Sequence, residues 1–308
     1  MSGKYFAGVA LALASAAFAA SAQAQTQPAP AAPAAPAAAA QPPYAVTKVE
    51  GTDNVYIFRY GGHQSMFIVT PAGVIATDPI GERRPAAKAY IEEIQKITKA
   101  PIKYVIYSHS HYDHIAGGKP FKELGAVFIA HRNAQKRIAT LKPADVVVPD
   151  QVVDVRKVIT LGGTTLELTY VGLNHSDSTL VMRLPKEKIL FTVDWIPVKG
   201  IQFRGMADTY VPDIEVALRK VIAMDWEKLI PGHPGPGRVQ TGTTEDARNQ
   251  LAYLQDLSAA VKKAVDEGKS YADAQKEIKL PKYESWPNYG PFLQMNIERY
   301  YDFWNRGI

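Results

Sequence analysis

Three histidines and an aspartate lie within six consecutive positions of this chain, in the stretch S-H-S-H-Y-D-H at residues 108–114. The chain has only seven histidines in 308 residues, so this concentration is unusual for a polar loop. Residues two apart in an extended segment point to the same side, so His109 and His111 can reach one metal ion together. Asp113 and His114 can face a neighbouring position. The stretch therefore predicts half of a metal site.

Three further residues of the same types can complete that site, since four ligands from one loop cannot fill two coordination spheres. They are His175, Asp194 and His233, and each stands just beyond a predicted strand, where α/β folds usually place ligands and catalysts. The chain has no cysteine, so any metal must be bound by nitrogen and oxygen. Seven such ligands match what two zinc ions require. We therefore expect two Zn²⁺ per chain, with iron or manganese as alternatives.

Strand and helix patterns interleave twice along the chain. A β-rich first half ends in the strand 102–108, directly before the histidine cluster, and a second set of strands precedes the remaining candidate ligands. This order predicts an α/β fold of two packed sheets with helices outside, a four-layer αβ/βα sandwich with a helical C-terminal tail. The predicted strands are 54–60, 65–70, 73–78, 102–108, 127–130, 152–160, 165–170, 179–184, 188–193 and 228–232; the predicted helices are 84–98, 132–140, 213–223 and two in the tail, the last starting at Pro291.

The N-terminal residues are typical of export. Lys4 precedes an apolar run and an A-x-A ending at Ala24, which predicts a signal peptide over 1–24 with cleavage before Gln25. Residues 25–43 are nearly all Pro, Ala and Gln and predict a linker. The catalytic domain is then 44–308, and the protein is expected to be periplasmic or secreted. The apolar run is too short for a membrane span, so no stable membrane insertion is expected after cleavage.

The charge pattern bears on partners. The formal net charge is +5, but the basic residues are scattered along the chain rather than clustered. A scattered pattern favours a solvated surface over a nucleic-acid groove. We expect a small-molecule substrate and no nucleic acid, and the sequence carries no signal for an oligomeric state.

The chain resembles the metallo-β-lactamase-fold hydrolase superfamily, whose hallmark H-x-H-x-D-H stands here at residues 109–114. The resemblance implies one metal position with three histidines, a second with a D-H pair and a histidine, a bridging carboxylate, and an aspartate that braces the loop from behind. By this resemblance the first metal position has His109, His111 and His175, and the second has Asp113, His114 and His233. Asp194 is the bridging carboxylate, and Asp78 is the aspartate behind the loop.

The ligand set also predicts the chemistry. Two cations that share a water lower its pKa to near neutrality and make hydroxide available as a nucleophile, while they polarise the scissile bond. Asp113 would orient the hydroxide and help to move its proton. No protein nucleophile is needed.

Departures from known subclasses narrow the expected substrate. Asp194 stands where some β-lactamases carry a cysteine ligand, and the β-lactamases with a D-H pair generally lack a bridging aspartate. The resemblance thus favours glyoxalase II-like and lactonase-like esterases, although the tail is short for a glyoxalase II substrate domain. Diiron flavoproteins of this fold carry Glu where this chain has His111. We expect cleavage of an ester, lactone or thioester. The alternatives are a β-lactamase-type amide hydrolase, a mononuclear-iron persulfide dioxygenase and, last, a non-catalytic metal-binding relay protein.

Residues outside this set carry weaker signals. The aromatic segment 195–212 either packs under the sheet edge or lines the substrate pocket, with Trp195, Phe203 and Tyr210 as candidate pocket residues. His63 lies in a predicted hairpin loop that could overhang the pocket, but it is expected to be a solvated loop histidine. His131 is expected to be structural or to cap a helix.

Overall fold

The first seven strands form one mixed sheet and the last six form another, in a computed structural model that describes residues 43–81 and 84–308. The first sheet has the order β1-β2-β3-β4-β5-β6-β7, and the second has the order β13-β12-β11-β10-β9-β8. The strands of the first sheet are β1 Tyr44–Lys48, β2 Val55–Tyr60, β3 His63–Thr70, β4 Gly73–Thr77, β5 Ile102–Ile106, β6 Val127–His131 and β7 Gln151–Val153. Those of the second are β8 Arg156–Leu161, β9 Thr164–Tyr170, β10 Leu180–Leu184, β11 Ile189–Val193, β12 Lys228–Pro231 and β13 Gly242–Thr243.

Eight α-helices accompany the sheets in the described part of the chain. Three short 3-10 turns, Arg204–Met206, Pro236–Arg238 and Pro281–Tyr283, lie between them. None of these helices is long and apolar enough to cross a membrane. The helices are α1 Ala86–Ile97, α2 Tyr112–Ile115, α3 Lys119–Glu123, α4 Arg132–Leu141, α5 Asp213–Ile222, α6 Thr244–Asp266, α7 Tyr271–Glu277 and α8 Tyr289–Arg306.

Alternation along the strands of the first sheet separates two apolar cores. Ile57 and Ile68 pack between the sheets, whereas their neighbours Phe58 and Phe67 point the other way, to a core shared with α1, α3 and α4. The core between the sheets continues through the second sheet to α5, α6 and α8. The layers are therefore helix, sheet, sheet, helix. The predicted four-layer α/β sandwich with a helical tail is confirmed.

Most predicted elements are observed, and the short elements α2, α3, α7 and β13 were not predicted. Two further differences concern the strands of the first sheet. The strand predicted over 152–160 is two strands, because the chain leaves the first sheet after β7 and enters the second at β8. A strand at residues 44–48 was not predicted, and it pairs with β2 as an edge strand. The predicted signal peptide and all of the predicted linker except Pro43 lie outside the described residues.

Candidate metal centre

The candidate ligands lie at one edge of the two sheets. Parallel strands β4 and β5 end at Thr77 and Ile106, and parallel strands β11 and β12 end at Val193 and Pro231. Asp78, His109, Asp194 and His233 follow those ends, as expected for side chains that meet at the carboxyl ends of parallel strands.

Backbone hydrogen bonds join the two sheets at this edge. The N–H of Leu180 donates to the carbonyl of Ser108 at 2.7 Å, and the N–H of Gln64 donates to the carbonyl of Gly232 at 2.6 Å. These bonds fix the loops from one sheet against the loops from the other.

One cluster, the first group, consists of His109, His111, His175 and Asp194, whose ligand atoms all lie within 4.8 Å of one another. His175 Nε2 is 3.1 Å from His111 Nδ1. Asp194 Oδ2 is 3.6 Å from His109 Nε2 and 3.5 Å from His175 Nε2. The three histidines come from two loops, one after β5 and one between β9 and β10.

A second cluster, the second group, consists of His63, Asp113, His114 and His233. His114 Nε2 is 3.4 Å from His233 Nε2 and 3.5 Å from Asp113 Oδ2. His63 Nε2 is 3.1 Å from the same Asp113 oxygen. Asp113 and His114 belong to the short helix α2, whose start at Tyr112 turns them away from His109 and His111.

Asp194 lies between the two groups. Its Oδ2 faces the first group, while its Oδ1 is 3.0 Å from His114 Nε2 and 3.2 Å from His233 Nε2. Val193, directly before it, has φ 56°, a left-handed conformation that a β-branched residue adopts only when its surroundings enforce it. The backbone is thus strained where it directs Asp194 between the groups.

The donor set fits metal ions. His109 Nε2 is buried with no hydrogen-bond partner among the described residues, although a buried polar atom normally has one. Imidazole nitrogens of different histidines approach to 3.1 Å and 3.4 Å, which suits lone pairs that converge on a cation. The chain therefore has two groups of His and Asp side chains able to bind metal ions.

The pKa values of several site residues are strongly shifted from their usual values. Burial holds the pKa of His109 well below its usual value, so this imidazole is neutral. Burial also acts against the charged form of His114, but Asp194 and Asp113 outweigh it and raise the pKa of His114 to about 9. Burial opposes the charge of Asp194 too, yet His114 and His233 keep its pKa well below the usual value. Asp194 is therefore an anion, ready to bind cations on both sides.

Contacts behind the groups orient the imidazoles. His233 Nδ1 is 2.7 Å from the carbonyl of Gly62, so Nδ1 carries the proton and Nε2 presents its lone pair. Ser108 Oγ is 2.9 Å from His109 Nδ1. Asp78, predicted to brace the loop, is wholly buried and accepts a 2.8 Å hydrogen bond from the N–H of Ser108.

The groups open into a pocket of about 730 Å³. Its lining includes Tyr210, one of three predicted pocket residues. The other two predictions are wrong. Trp195 is wholly buried in the core between the sheets, because the residue after Asp194 points away from the site. Phe203 is 68% exposed and packs edge-on against Phe292 of α8, at a ring distance of 5.4 Å.

Two minor histidine predictions have different outcomes. His63 is not a solvated loop histidine, because it begins β3 and only 12% of its side chain is exposed. His131 is confirmed as a helix cap: its Nδ1 accepts a 3.3 Å hydrogen bond from the N–H of Asn133 at the start of α4.

Several pocket residues were not predicted from the sequence. Arg84, Arg137, Asp177 and Asp208 all line the pocket. Arg137 donates two 2.8 Å hydrogen bonds to Asp177 and one of 2.9 Å to Ser110, the residue between the first two histidines. Asp208 Oδ1 is 3.4 Å from His175 Nδ1. Asp177 stands two residues after His175, which was its only signal; the others carried none.

Known proteins similar to this chain share its fold. The chain is 25% identical over 208 residues to the 2,4-dinitroanisole O-demethylase subunit alpha of Nocardioides sp. (strain JS1661), covering 63% of this chain and 58% of that protein. It is 28% identical over 149 residues to a type 2 metallo-beta-lactamase of Elizabethkingia meningoseptica, covering 45% of this chain and 57% of that one. The chain thus spans less than two thirds of the length of these relatives.

Solved structures agree on the architecture. A metallo-beta-lactamase from Pontibacter korlensis superposes with a TM-score of 0.58 at 22% identity, covering 69% of this chain and 99% of that one. The sec-alkyl sulfatase PisA1 gives 0.65 at 17% identity, covering 86% of this chain and 50% of that one. The sequence profile of the metallo-beta-lactamase superfamily matches residues 59–233, more than half of the chain. With the His and Asp groups at the sheet edge, this match shows that the chain belongs to the metallo-beta-lactamase superfamily.

Proposed function

We propose that this protein is a dinuclear zinc hydrolase that cleaves a compact ester, lactone or thioester. The observation that carries the proposal is the position of Asp194, which directs one carboxylate oxygen to each of two His and Asp groups. Nitrogen and oxygen ligands without thiolate suit zinc. Asp194 would bridge, with His109, His111 and His175 on one side and Asp113, His114 and His233 on the other.

Bound zinc supplies a nucleophile at neutral pH and polarises the scissile bond. The residues of the chain would orient the water, accept its proton and position the substrate. Asp113 lines the pocket and sits in the second group, so its carboxylate can orient the attacking water and accept its proton. Tyr112 and Tyr210, each more than a third exposed, also line the pocket.

The pocket supports a small, uncharged acyl group. Of the segment 195–212, Asp208 and Tyr210 line the pocket, and the other lining residues are mostly polar or charged. Arg137 is paired with Asp177, and Asp208 adds a second carboxylate. These acids disfavour an anionic substrate beside them. A β-lactam carries a carboxylate, which Arg84 would have to bind, so we place β-lactams second.

A substrate panel tests the proposal. The kcat/KM of zinc-loaded protein should be highest for a lactone, aryl ester or thioester series. A penicillin, a cephalosporin and a carbapenem are the comparison, because three relatives are type 2 metallo-beta-lactamases. An aryl methyl ether belongs in the panel because another relative is an O-demethylase subunit. Turnover of any β-lactam more than about tenfold faster, roughly 1.4 kcal/mol of transition-state stabilisation, would show that the ester preference is wrong.

Metal analysis tests the site itself. We expect two zinc ions per chain and loss of one on Asp194→Ala, with the fold retained. The mononuclear-iron persulfide dioxygenase alternative instead requires one iron per chain and oxygen consumption.

We also propose that the protein is exported, on the strength of the Lys4 to Ala24 pattern. N-terminal sequencing of protein from a periplasmic extract should give Gln25 as the first residue. Recovery of the chain with Met1 intact from the cytoplasm alone would refute export.

A further inference from the structure

His63 is the one member of the second group that the H-x-H-x-D-H stretch and its later partners do not include. It begins β3, directly after the turn that joins β2 to β3. Its imidazole reaches across the site to Asp113, with 3.1 Å between Nε2 and Oδ2. Its ring centroid lies 4.4 Å from that of His233 and 5.4 Å from that of His114. His63 therefore touches every other member of the group.

The four ligand atoms lie close enough together to bind one zinc ion. Zinc ligands of nitrogen and oxygen lie about 2.0–2.1 Å from the metal, which places them about 3.4 Å from one another. The separations among Asp113, His114 and His233 are 3.4, 3.5 and 3.8 Å, and His63 adds 3.1 Å to Asp113. All four atoms lie within 4.8 Å of one another.

The backbone holds His63 firmly in this place. The carbonyl of Gly62, on one side of it, binds His233 Nδ1 at 2.7 Å. On the other side, Gln64 binds the carbonyl of Gly232 through its N–H at 2.6 Å and that of Pro231 through Nε2 at 2.9 Å. The residues around His63 are thus fastened to the loop that carries His233, so the two imidazoles keep a fixed relation.

We propose that His63 Nε2 is a fourth protein ligand of the second metal position, beside Asp113, His114 and His233. The inference rests on the proposed two-metal function. It gives the second position four side chains of its own in addition to Asp194. This position should consequently retain its metal as firmly as the first.

Two substitutions separate a metal ligand from a simple hydrogen-bond partner of Asp113. In His63→Gln the side-chain amide can still donate to Asp113 but cannot replace an imidazole ligand, while His63→Ala removes both contacts. His131→Gln is the matched control, because His131 caps α4 and belongs to neither group. Circular dichroism of each metal-free variant checks its fold.

The measurement is zinc binding by chelator competition, supported by cobalt absorption spectra. We expect both His63 variants to bind the second zinc at least about 100-fold more weakly, beyond the 10–100-fold typical of residues behind the ligands. The first zinc should bind as in the unchanged protein, and the cobalt bands of the second position alone should change. His131→Gln should bind both zinc ions normally.

Three outcomes would overturn the inference. The first is that His63→Gln binds the second zinc within about threefold of the affinity of the unchanged protein. The second is that neither variant loses zinc affinity. The third is that a folded variant loses zinc affinity equally at both positions. The measurement uses no substrate, so its result can be interpreted even if the protein does not have the proposed hydrolase activity. The zinc stoichiometry of the unchanged protein tests the two-metal function separately.

Discussion

Asp78 accepts a hydrogen bond of 2.8 Å from the backbone N–H of Ser108, which joins the ends of β4 and β5 directly before the first metal-site histidine. The other oxygen of the same carboxylate is 3.8 Å from His114 Nδ1. Asp78 has φ 26° and no solvent exposure, and burial raises its pKa to about 6. One buried carboxylate thus supports the loop of the first group and faces a histidine of the second.

Asp78→Ala should weaken both folding and metal binding. It leaves the N–H of Ser108 buried without an acceptor, which costs about 1–3 kcal/mol of unfolding free energy. Loss of support behind ligands typically costs 10–100-fold in metal affinity. Urea denaturation and zinc competition measure the two effects. Asp78→Asn keeps an acceptor oxygen and should lose less; equal losses in both variants would contradict this role.

Gly232→Ala should disrupt the metal site, although Gly232 is not itself a candidate ligand. A Cβ at this position would collide with Asp194 Oδ1, approach Val193 Cγ2 to 2.6 Å and His114 Cε1 to 3.0 Å. Asp194 and His114 must then move, so we expect weaker zinc binding at both positions and a large loss of kcat. Gly290→Ala is the control, since a Cβ there meets nothing within 4 Å. Normal zinc binding by Gly232→Ala would show that the site tolerates this displacement.

Metal binding should release a proton from His114. Its pKa in the metal-free protein is raised to about 9, and a histidine must be neutral to bind metal. Zinc affinity should therefore rise with pH until about pH 9. Calorimetry in buffers of different ionisation enthalpy should show proton release that falls by about one per chain between pH 8 and pH 10. Release that is constant over this range would mean that His114 is already neutral.

Arg299 of α8 should hold the pocket wall in place, although it does not line the pocket itself. Its Nε and Nη2 donate to the carbonyl of Thr209 at 3.2 and 2.8 Å, between the pocket residues Asp208 and Tyr210. Arg299→Ala should lower the unfolding free energy by about 1–3 kcal/mol and raise KM, with metal content unchanged. Arg299→Lys keeps the charge but not the forked contact, and its KM should lie between those of the unchanged protein and Arg299→Ala. An unchanged KM in Arg299→Ala would show that the wall holds without this contact.

The sequence by itself determined the donor types and the architecture. The interleaved order of strands and helices follows from local periodicity, and the histidine spacing in residues 109–114 requires only a strand end and one short turn. His175, Asp194 and His233 were identified because each follows a strand, and the structure brings all seven predicted ligands together. Local sequence pattern is sufficient to predict those features that residues close together in sequence determine.

Only the tertiary structure decided which side chains far apart in sequence meet. His63 lies 50 positions before Asp113, and its place in the second group was not predicted because nothing near it in sequence marks it. Trp195 and Tyr210 are both aromatic, yet the first is buried in the core between the sheets and the second lines the pocket. The physical reason is that a side chain's direction at a sheet edge depends on how the two sheets and their covering helices pack, and local sequence does not encode that packing.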